Sequence, residues 1–490
     1  MTGYHASSWD ALAEREVPAW FHDAKLGVFI HWGPYSVPAW APQSTDIDAL
    51  LTAKGARGLY RANPYAEWYR NSYRVPGSAT QAHHRAVHGD REYDDFAAEF
   101  DRAASTADLT QLAGELRETG AAYVVLTSKH HDGVPLWHSD VPHPKGRGFR
   151  PTRDLVGDFA SAVRAAGMRL GLYYSGGYDW SVHDVVMRHN ADALLAMPAD
   201  PAYTAYAEAH VRELIDRYAP SVLWNDIGWP GGGNLAQLFS DYYRRVPEGV
   251  VNDRWLEGPA RRTRLDTLKT RVIGRAAELF WPLLPQSVKS VEFPSSKHSD
   301  FATAEYRSFA ETRTDKWEYT RGIGHSFALN RAERGEDMVG IQELVHGFVD
   351  VVSKNGNLLL GVGPAPDGSI PASQLHILSG LGTWMRTNEE AITGTRPWLT
   401  AEGRTDRGVP VRFTHRDDVL YATLLSADPG SGIHELQGVT VRTPPAECAV
   451  LGIGSQPVRV DDARLRIAVP ERLPDSPAHV IRIRGGVLVP

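Results

Sequence analysis

The sequence predicts an α/β fold: a (β/α)8-like barrel followed by a small antiparallel β-sandwich. Three observations carry that expectation. From residue 25 to about residue 390, short continuously apolar runs alternate with stretches of helical period. Runs of that kind mark parallel strands buried on both faces. Each run then ends in polar and aromatic residues, and past about residue 395 alternating β-rich segments take over.

In chain order the strand candidates are LGVFIHWG (26–33), AAYVVLTSKHHDG (121–133), RLGLYYSGG (169–177), SVLWNDIGW (221–229), GVVNDRW (249–255) and NLLLGVGP (357–364). Between them lie amphipathic helices. The stretch 340–355 sets Ile341, Leu344, Val345, Phe348, Val351 and Val352 on one face, and 154–167 groups Leu155, Val156, Phe159 and Val163. Strand–helix alternation of this length points to the barrel, with a doubly wound sheet as its rival. The tail reads VPVRFTHRDDVLYATLLS (409–426), GVTVRTP (438–444), VRVDDARLRIAVP (458–470) and AHVIRIR (478–484), broken by Pro, Gly and Asp turns. Two domains are therefore expected: a catalytic barrel over 1–394 and a β-sandwich over 395–490.

The stretch from Trp255 to Phe301 has no assigned element. It holds a basic cluster, Arg261, Arg262, Arg264, Lys269, Arg271 and Arg275, and then FWPLLP (280–285). A solvated helix face with a hydrophobic anchor is the plainer reading. A lid or a subunit contact is the alternative.

Composition narrows the function classes. A net charge of −7 spread along 490 residues predicts neither nucleic acid nor an anionic membrane as partner. No apolar run approaches the ~20 residues of a membrane span. One cysteine, Cys448, excludes an intramolecular disulfide and a thiolate metal site. The polar N-terminus lacks a signal-peptide core, so a cytoplasmic protein is expected, with a homo-oligomer left open.

The strand ends HWG, SKHHDG, YYSGGYDW, WNDIGW and NDRW would meet at one mouth of a barrel, where such folds carry their active sites. His130, His131 and Asp132 invite a metal, but neighbouring residues on a strand face opposite ways, and no HExxH is present. No metal and no cofactor is expected. GPYSVP, SGGYDW and PGGG lack both a dinucleotide fingerprint and a Walker lysine, and there is no GxSxG elbow. Carboxylates, histidines, tyrosines and some of the 14 tryptophans remain. Neutral imidazoles and carboxylates bind sugar hydroxyls, while indoles cover the apolar face of a pyranose. Glycoside hydrolysis needs two carboxyl groups. Asp226, at a strand end between Trp224 and Trp229, is a sound nucleophile candidate.

Eight ordered blocks sharpen this: WFHDAKLGVFIHWGPYSVPAW (20–40), SKHHDGVPLW (128–137), GLYYSGGYDW (171–180), LWNDIGWP (223–230), VNDRW (251–255), TAEY (303–306), KWEYTRGIGHSF (316–327) and SKNGNLLLGVGPAPDGSIP (353–371). Together they resemble the retaining α-L-fucosidases of glycoside hydrolase family 29, over most of residues 18–395. The resemblance implies Asp226 as nucleophile and a fucose pocket of His31, Glu67, Trp68, His130, His131, Tyr173 and Trp224. It sets Arg254 beside the nucleophile, where a guanidinium holds a carboxylate ionised. Glu305 of TAEY resembles the acid/base of some branches, and Glu318 of KWEYTRG is the alternative. The long stretch between Arg254 and Glu305 departs from the family pattern.

Each residue also has a structural reading. Trp68 and Trp224 read equally as core, Arg254 as an ion-pair partner and Glu67 as a helix cap. The function implied is an exo-acting retaining α-L-fucosidase acting on fucosylated oligosaccharides or glycosides. A catalytically inactive fucose-binding protein and a metal-dependent hydrolase are the alternatives.

Overall fold

The computed structural model describes residues 9–43, 47–146, 148–281, 296–443, 445–485 and 487–489. Eight parallel strands form its first layer: β1 (Leu26–Ile30), β2 (Tyr123–Lys129), β3 (Arg169–Ser175), β4 (Val222–Asp226), β5 (Val250–Val251), β6 (Ala302–Glu305), β7 (Trp317–Gly322) and β8 (Gly356–Val362). They lie in the order β5-β4-β3-β2-β1-β8-β7-β6. The sheet curls until its edges meet at one parallel bridge, Asn252 to Phe301, backed by Asp300 N–H donating to Val251 O at 2.9 Å. The barrel reading is the right one, and the doubly wound rival is excluded.

Alternation along each strand sorts the side chains. Phe29, Tyr123, Val125, Tyr173, Val222, Trp224 and Leu359 fill the interior. Val28, Val124, Leu172 and Leu223 pack outward against helices that include Leu155–Ala165 and Ile341–Ser353. Burial on both faces is why these strands were legible as apolar runs. Two strands, β6 and β7, are absent from the sequence expectation. All four residues of β6 are only half-buried, and β7 carries Glu318, Tyr319 and Arg321, so neither is a continuous apolar run.

The C-terminal region is one antiparallel sheet of ten strands: β9 (Arg396–Thr405), β10 (Pro410–Arg416), β11 (Val419–Leu424), β12 (Gly432–Thr443), β13 (Glu447–Val450), β14 (Gly454–Ser455), β15 (Val458–Asp461), β16 (Arg464–Val469), β17 (His479–Arg484) and β18 (Val487–Val489). It folds over a core that includes Phe413, Leu420, Leu436, Leu465, Ile467 and Ile481, which makes it a sandwich. The run 409–426 divides into two strands at Asp417, whose φ of 53° supplies the turn. Trp384 Nε1 donates to Ala478 O at 3.0 Å across the junction with the barrel.

The unassigned stretch contains a helix, Arg264–Leu279, opened by a capping box between Thr263 and Asp266. Gly274 lies against Ala191, where a Cβ would come within 2.4 Å, so glycine permits that close approach. Arg262 donates to the carbonyls of Leu194, Leu195 and Met197. Trp281 is the anchor of the FWPLLP run, with Nε1 donating to Leu51 O at 3.1 Å. Residues 282–285 of that run lie outside the described residues. No described helix is long and apolar enough to cross a membrane.

Candidate active site

Asp226 is the last residue of β4, and its side chain shares the inward face with Val222 and Trp224. The chain then turns sharply. Ile227 has φ 60° and Gly228 φ 87°, and a β-branched residue in that region is unusual enough to mark a constrained site. The turn aims the Ile227 N–H at Asp226 Oδ1, 2.9 Å away. It also sends Trp229 outward, to pack with Trp255 and Tyr174 between barrel and helices. The expected pair of enclosing indoles is thus one indole, Trp224.

A backbone lattice fixes this strand end. Asn225 Nδ2 donates to Gly228 O at 2.9 Å and to Arg254 O at 2.6 Å, and Asn252 Nδ2 donates to Asn225 O at 2.9 Å. Asn225 Oδ1 accepts from Gly176 N–H. The next glycine, Gly177, packs on Ile227 O, where a Cβ would intrude to 2.1 Å. The Asn-Asp pairs of WNDIG and VNDRW therefore divide their work: the asparagines hold backbone, and Asp226 is left to the cavity.

Arg254 joins the two carboxylates. Nη1 donates to Asp226 Oδ1 at 2.9 Å, Nη2 to Glu305 Oε2 at 2.7 Å, and Nε to Thr303 Oγ1 at 3.1 Å. Burial alone would pull the guanidinium down, but Glu305 and Asp226 together hold its pKa above the ordinary value. Tyr173 OH donates to Asp226 Oδ2 at 3.0 Å, and Tyr65 OH to Glu305 Oε1 at 2.6 Å. Glu305 is the last residue of β6, at the same mouth as Asp226, with 27% of its side chain exposed. Glu318 is the second residue of β7, fully buried inside the barrel. Its oxygens accept from Tyr123 OH and, at 3.0 Å, from Trp224 Nε1, and burial pushes its pKa up to about 7.

Tyr173 is stacked between Trp224, 5.7 Å away, and His130, 5.5 Å away. His31 adjoins His130, with Phe327 on another side at 5.1 Å. His131 Nδ1 pairs with Ser175 Oγ at 2.7 Å, and its Nε2 lies 3.9 Å from Asp226 Oδ2. His130 and His131 do not face opposite ways as expected. Strand β2 ends at Lys129, after a register shift between Thr127 and Lys129, so both rings gather beside Tyr173 and Asp226 with centroids 4.0 Å apart. Burial, helped by neighbouring imidazoles or Lys129, lowers all three histidines, His31 and His131 to about 3, so they are neutral at ordinary pH. His31 Nδ1 and His130 Nδ1 are buried with no hydrogen-bond partner among the described residues.

Trp68 packs its ring edge-on to His131 at 5.1 Å. Glu67 is buried, accepts from Ser326 Oγ at 3.0 Å and Ala328 N–H at 3.1 Å, and is pushed up to about 7 by burial. The structure thus gathers all the expected site residues around Asp226 and Arg254 except Glu318, which sits lower in the barrel. Tyr65, Phe327, Ser175 and Thr303 join them unannounced. Phe327 closes the quoted KWEYTRGIGHSF block. Tyr65, two residues before Glu67 but 240 from its partner Glu305, carried no signal.

The model of the family described as Alpha-L-fucosidase matches residues 2–282 and 286–390. The chain belongs to this family. All eight sequence blocks lie inside the matched residues. This fucosidase is 31% identical to the plasma alpha-L-fucosidase of Rattus norvegicus over 426 residues, 85% of this chain and 79% of that one. With an alpha-L-fucosidase of Branchiostoma floridae it shares 29% identity over 500 residues, 98% and 96% of the two chains. Among solved structures it matches Thermotoga maritima alpha-fucosidase in complex with a mechanism based inhibitor, at TM-score 0.80 and 38% identity over 98% of this chain and 99% of that one. The same enzyme in complex with fucose gives TM-score 0.78 at 38% identity, covering 97% and 99%. The protein is an alpha-L-fucosidase, a glycoside hydrolase with a barrel and a C-terminal sandwich.

Proposed function

We propose that this fucosidase removes terminal L-fucose from fucosylated oligosaccharides or glycosides by double displacement, with Asp226 as nucleophile and Glu305 as acid/base. The observation that carries the assignment is the sharing of one guanidinium, Arg254, by both carboxylates. Asp226 Oδ1 already accepts two hydrogen bonds and Oδ2 one, so the lone pair left for attack is on Oδ2. As Oδ2 bonds to the anomeric carbon, the carbon–oxygen bond to the leaving group breaks and Glu305 protonates the departing oxygen. Asp226 loses its charge in that step and Glu305 gains one. Arg254 touches both, so its positive charge faces one ionised carboxylate before and after the step, with no buried charge left unpaired. Glu305 then takes a proton from water as the water oxygen bonds to the anomeric carbon and the bond from that carbon to Asp226 Oδ2 breaks, which releases fucose with retained configuration and restores the Asp226 carboxylate.

His31, Glu67, Trp68, His130, His131, Tyr173 and Trp224 form the fucose pocket in this reading. The unpartnered Nδ1 atoms of His31 and His130 are suited to ring hydroxyls. The catalytic unit is residues 1–394, with 395–490 as an appended sheet, and every residue given a role lies in the first.

Hydrolysis of aryl α-L-fucosides is expected without added metal, because side chains fill each role. Activity abolished by EDTA and restored by Zn²⁺ would overturn the mechanism in favour of a metal-dependent hydrolase. Binding of L-fucose without release from any aryl fucoside would instead make this a fucose-binding protein.

His31→Ala and His130→Ala are expected to weaken L-fucose binding by about 1–3 kcal/mol each, the cost of losing a hydrogen bond in a desolvated site. Titration calorimetry with L-fucose measures this. Loss of folded protein with unchanged affinity in the remainder would assign both rings to packing alone.

A further inference from the structure

His131 turns one ring nitrogen toward Asp226, and a count of hydrogens decides what that nitrogen carries. Ser175, the last residue of β3, is fully buried. Its Oγ lies 2.7 Å from His131 Nδ1 and 2.7 Å from Tyr178 O. A hydroxyl has a single hydrogen to give. The Tyr178 carbonyl can only accept, and Ser175 is its one donor among the described residues. The hydrogen therefore goes to Tyr178 O. Ser175 Oγ is left as an acceptor toward His131, so Nδ1 carries the imidazole proton. Burial and Lys129 keep this imidazole neutral, so it has no second proton and Nε2 bears a lone pair.

The ring is held in that setting. Trp68, Tyr178 and Trp180 meet it edge-on with centroids at 5.1, 5.4 and 5.6 Å, and His130 lies against it at 4.0 Å. Turning the ring over would set a carbon against Ser175 Oγ and lose a buried hydrogen bond. Nε2 consequently faces Asp226 Oδ2 across 3.9 Å, one acceptor opposite another. A hydrogen-bond donor between them satisfies such a pair. Attack from Oδ2 needs the anomeric carbon about 3–3.5 Å away, which brings a neighbour of that carbon within reach of Nε2. One neighbour is the ring oxygen, which has no hydrogen. The other is C2, whose hydroxyl can donate.

We propose that Ser175 is a positioning residue, which fixes the His131 tautomer so that Nε2 accepts from the C2 hydroxyl of the fucosyl group. That hydrogen bond strengthens during attack. Asp226 Oδ2 gives up its negative charge as it bonds to carbon, and so ceases to compete for the hydroxyl proton. A contact that tightens in this way favours the transition state over the bound substrate. The same lone pair repels the ring oxygen, so it also sets which way round the sugar lies. The proposal rests on Asp226 as the nucleophile.

Neutron diffraction from crystals of the deuterium-exchanged protein reads the tautomer without turnover. Deuterium is expected on His131 Nδ1 and not on Nε2, with the Ser175 deuteron directed at Tyr178 O. Kinetics then test the acceptor. In Ser175→Ala, Nδ1 loses its partner and the imidazole proton moves to Nε2, which can no longer accept. The ratio of kcat/KM for an aryl α-L-fucoside to that for its 2-deoxy analogue should fall by about 10–100-fold. A loss of folded protein, or damage to the nucleophile, lowers both substrates together and leaves the ratio unchanged. Deuterium on Nε2 of the unsubstituted protein, or an unaltered ratio in Ser175→Ala, would overturn the proposal. Failure of the nucleophile assignment shows separately, as near-normal activity in Asp226→Ala.

Discussion

Asp226→Ala is expected to lower kcat on aryl α-L-fucosides by about 10³-fold or more, with little change in the melting temperature. In the proposed mechanism the large kinetic effect follows from losing the atom that would form the glycosyl-enzyme bond. The small structural effect follows from what remains around Arg254. Removing one partner of a buried ion pair usually costs about 3–5 kcal/mol, because the other charge is stranded. Here Arg254 keeps Glu305 at 2.7 Å and Thr303 at 3.1 Å, so it is not stranded. Tyr173 loses its acceptor but stays clamped between Trp224 and His130. The variant leaves a space where a small anion can attack the same face of the sugar. Azide should therefore restore turnover and yield the fucosyl azide of inverted configuration, identified by NMR. Near-normal activity without azide would remove Asp226 from the chemistry.

The barrel was legible where strands are buried on both faces and hidden where they are not. VLWND in β4 is apolar up to the site itself, and its alternation already places Trp224 and Asp226 on one face. That alternation stops at Ile227. A left-handed residue followed by Gly228 redirects the chain, which is why Trp229 reads as a second wall of the site yet packs among the helices. The same limit applies to His130 and His131, where a period-2 argument was carried two residues past the end of β2. The sequence ranks Glu305 above Glu318 only by its TAEY motif, because neither β6 nor β7 is visible in it as a strand. In the structure the two differ in position: Glu305 ends its strand at the mouth, and Glu318 is the second residue of its strand, in the interior. Arg254 was placed by its motif, but its joint hold on both carboxylates depends on the closure of β5 against β6. That closure is a single bridge between residues 49 positions apart.

Glu305→Ala should separate substrates by their leaving groups, and this distinguishes it from any structural loss. Proton donation matters in proportion to the basicity of the departing oxygen. Fucosides of sugars and simple alcohols leave poorly without a proton, so their cleavage should fall below detection. Fucosides of very acidic phenols need no proton, so the first step on them should continue. The second step still needs a base for water, and the fucosyl-enzyme should accumulate, visible as a burst of phenol and an adduct on Asp226 by mass spectrometry. Azide needs no general base, so it should speed breakdown and give a product of retained configuration. That outcome is opposite in stereochemistry to rescue of Asp226→Ala, so each variant controls for the other. Removing Glu305 also takes an acceptor from Tyr65 OH and from Arg254, which keeps Asp226 as its carboxylate partner. A modest fall in stability is therefore expected, but it would lower all substrates together and would not sort them by leaving group. Glu318→Ala should behave in that second way. Its carboxylate holds Tyr123 and Trp224 inside the barrel, so its loss should reduce activity evenly across leaving groups. If Glu318→Ala sorts substrates by leaving group and Glu305→Ala does not, the acid/base is Glu318, and Glu305 is reduced to a partner of Arg254.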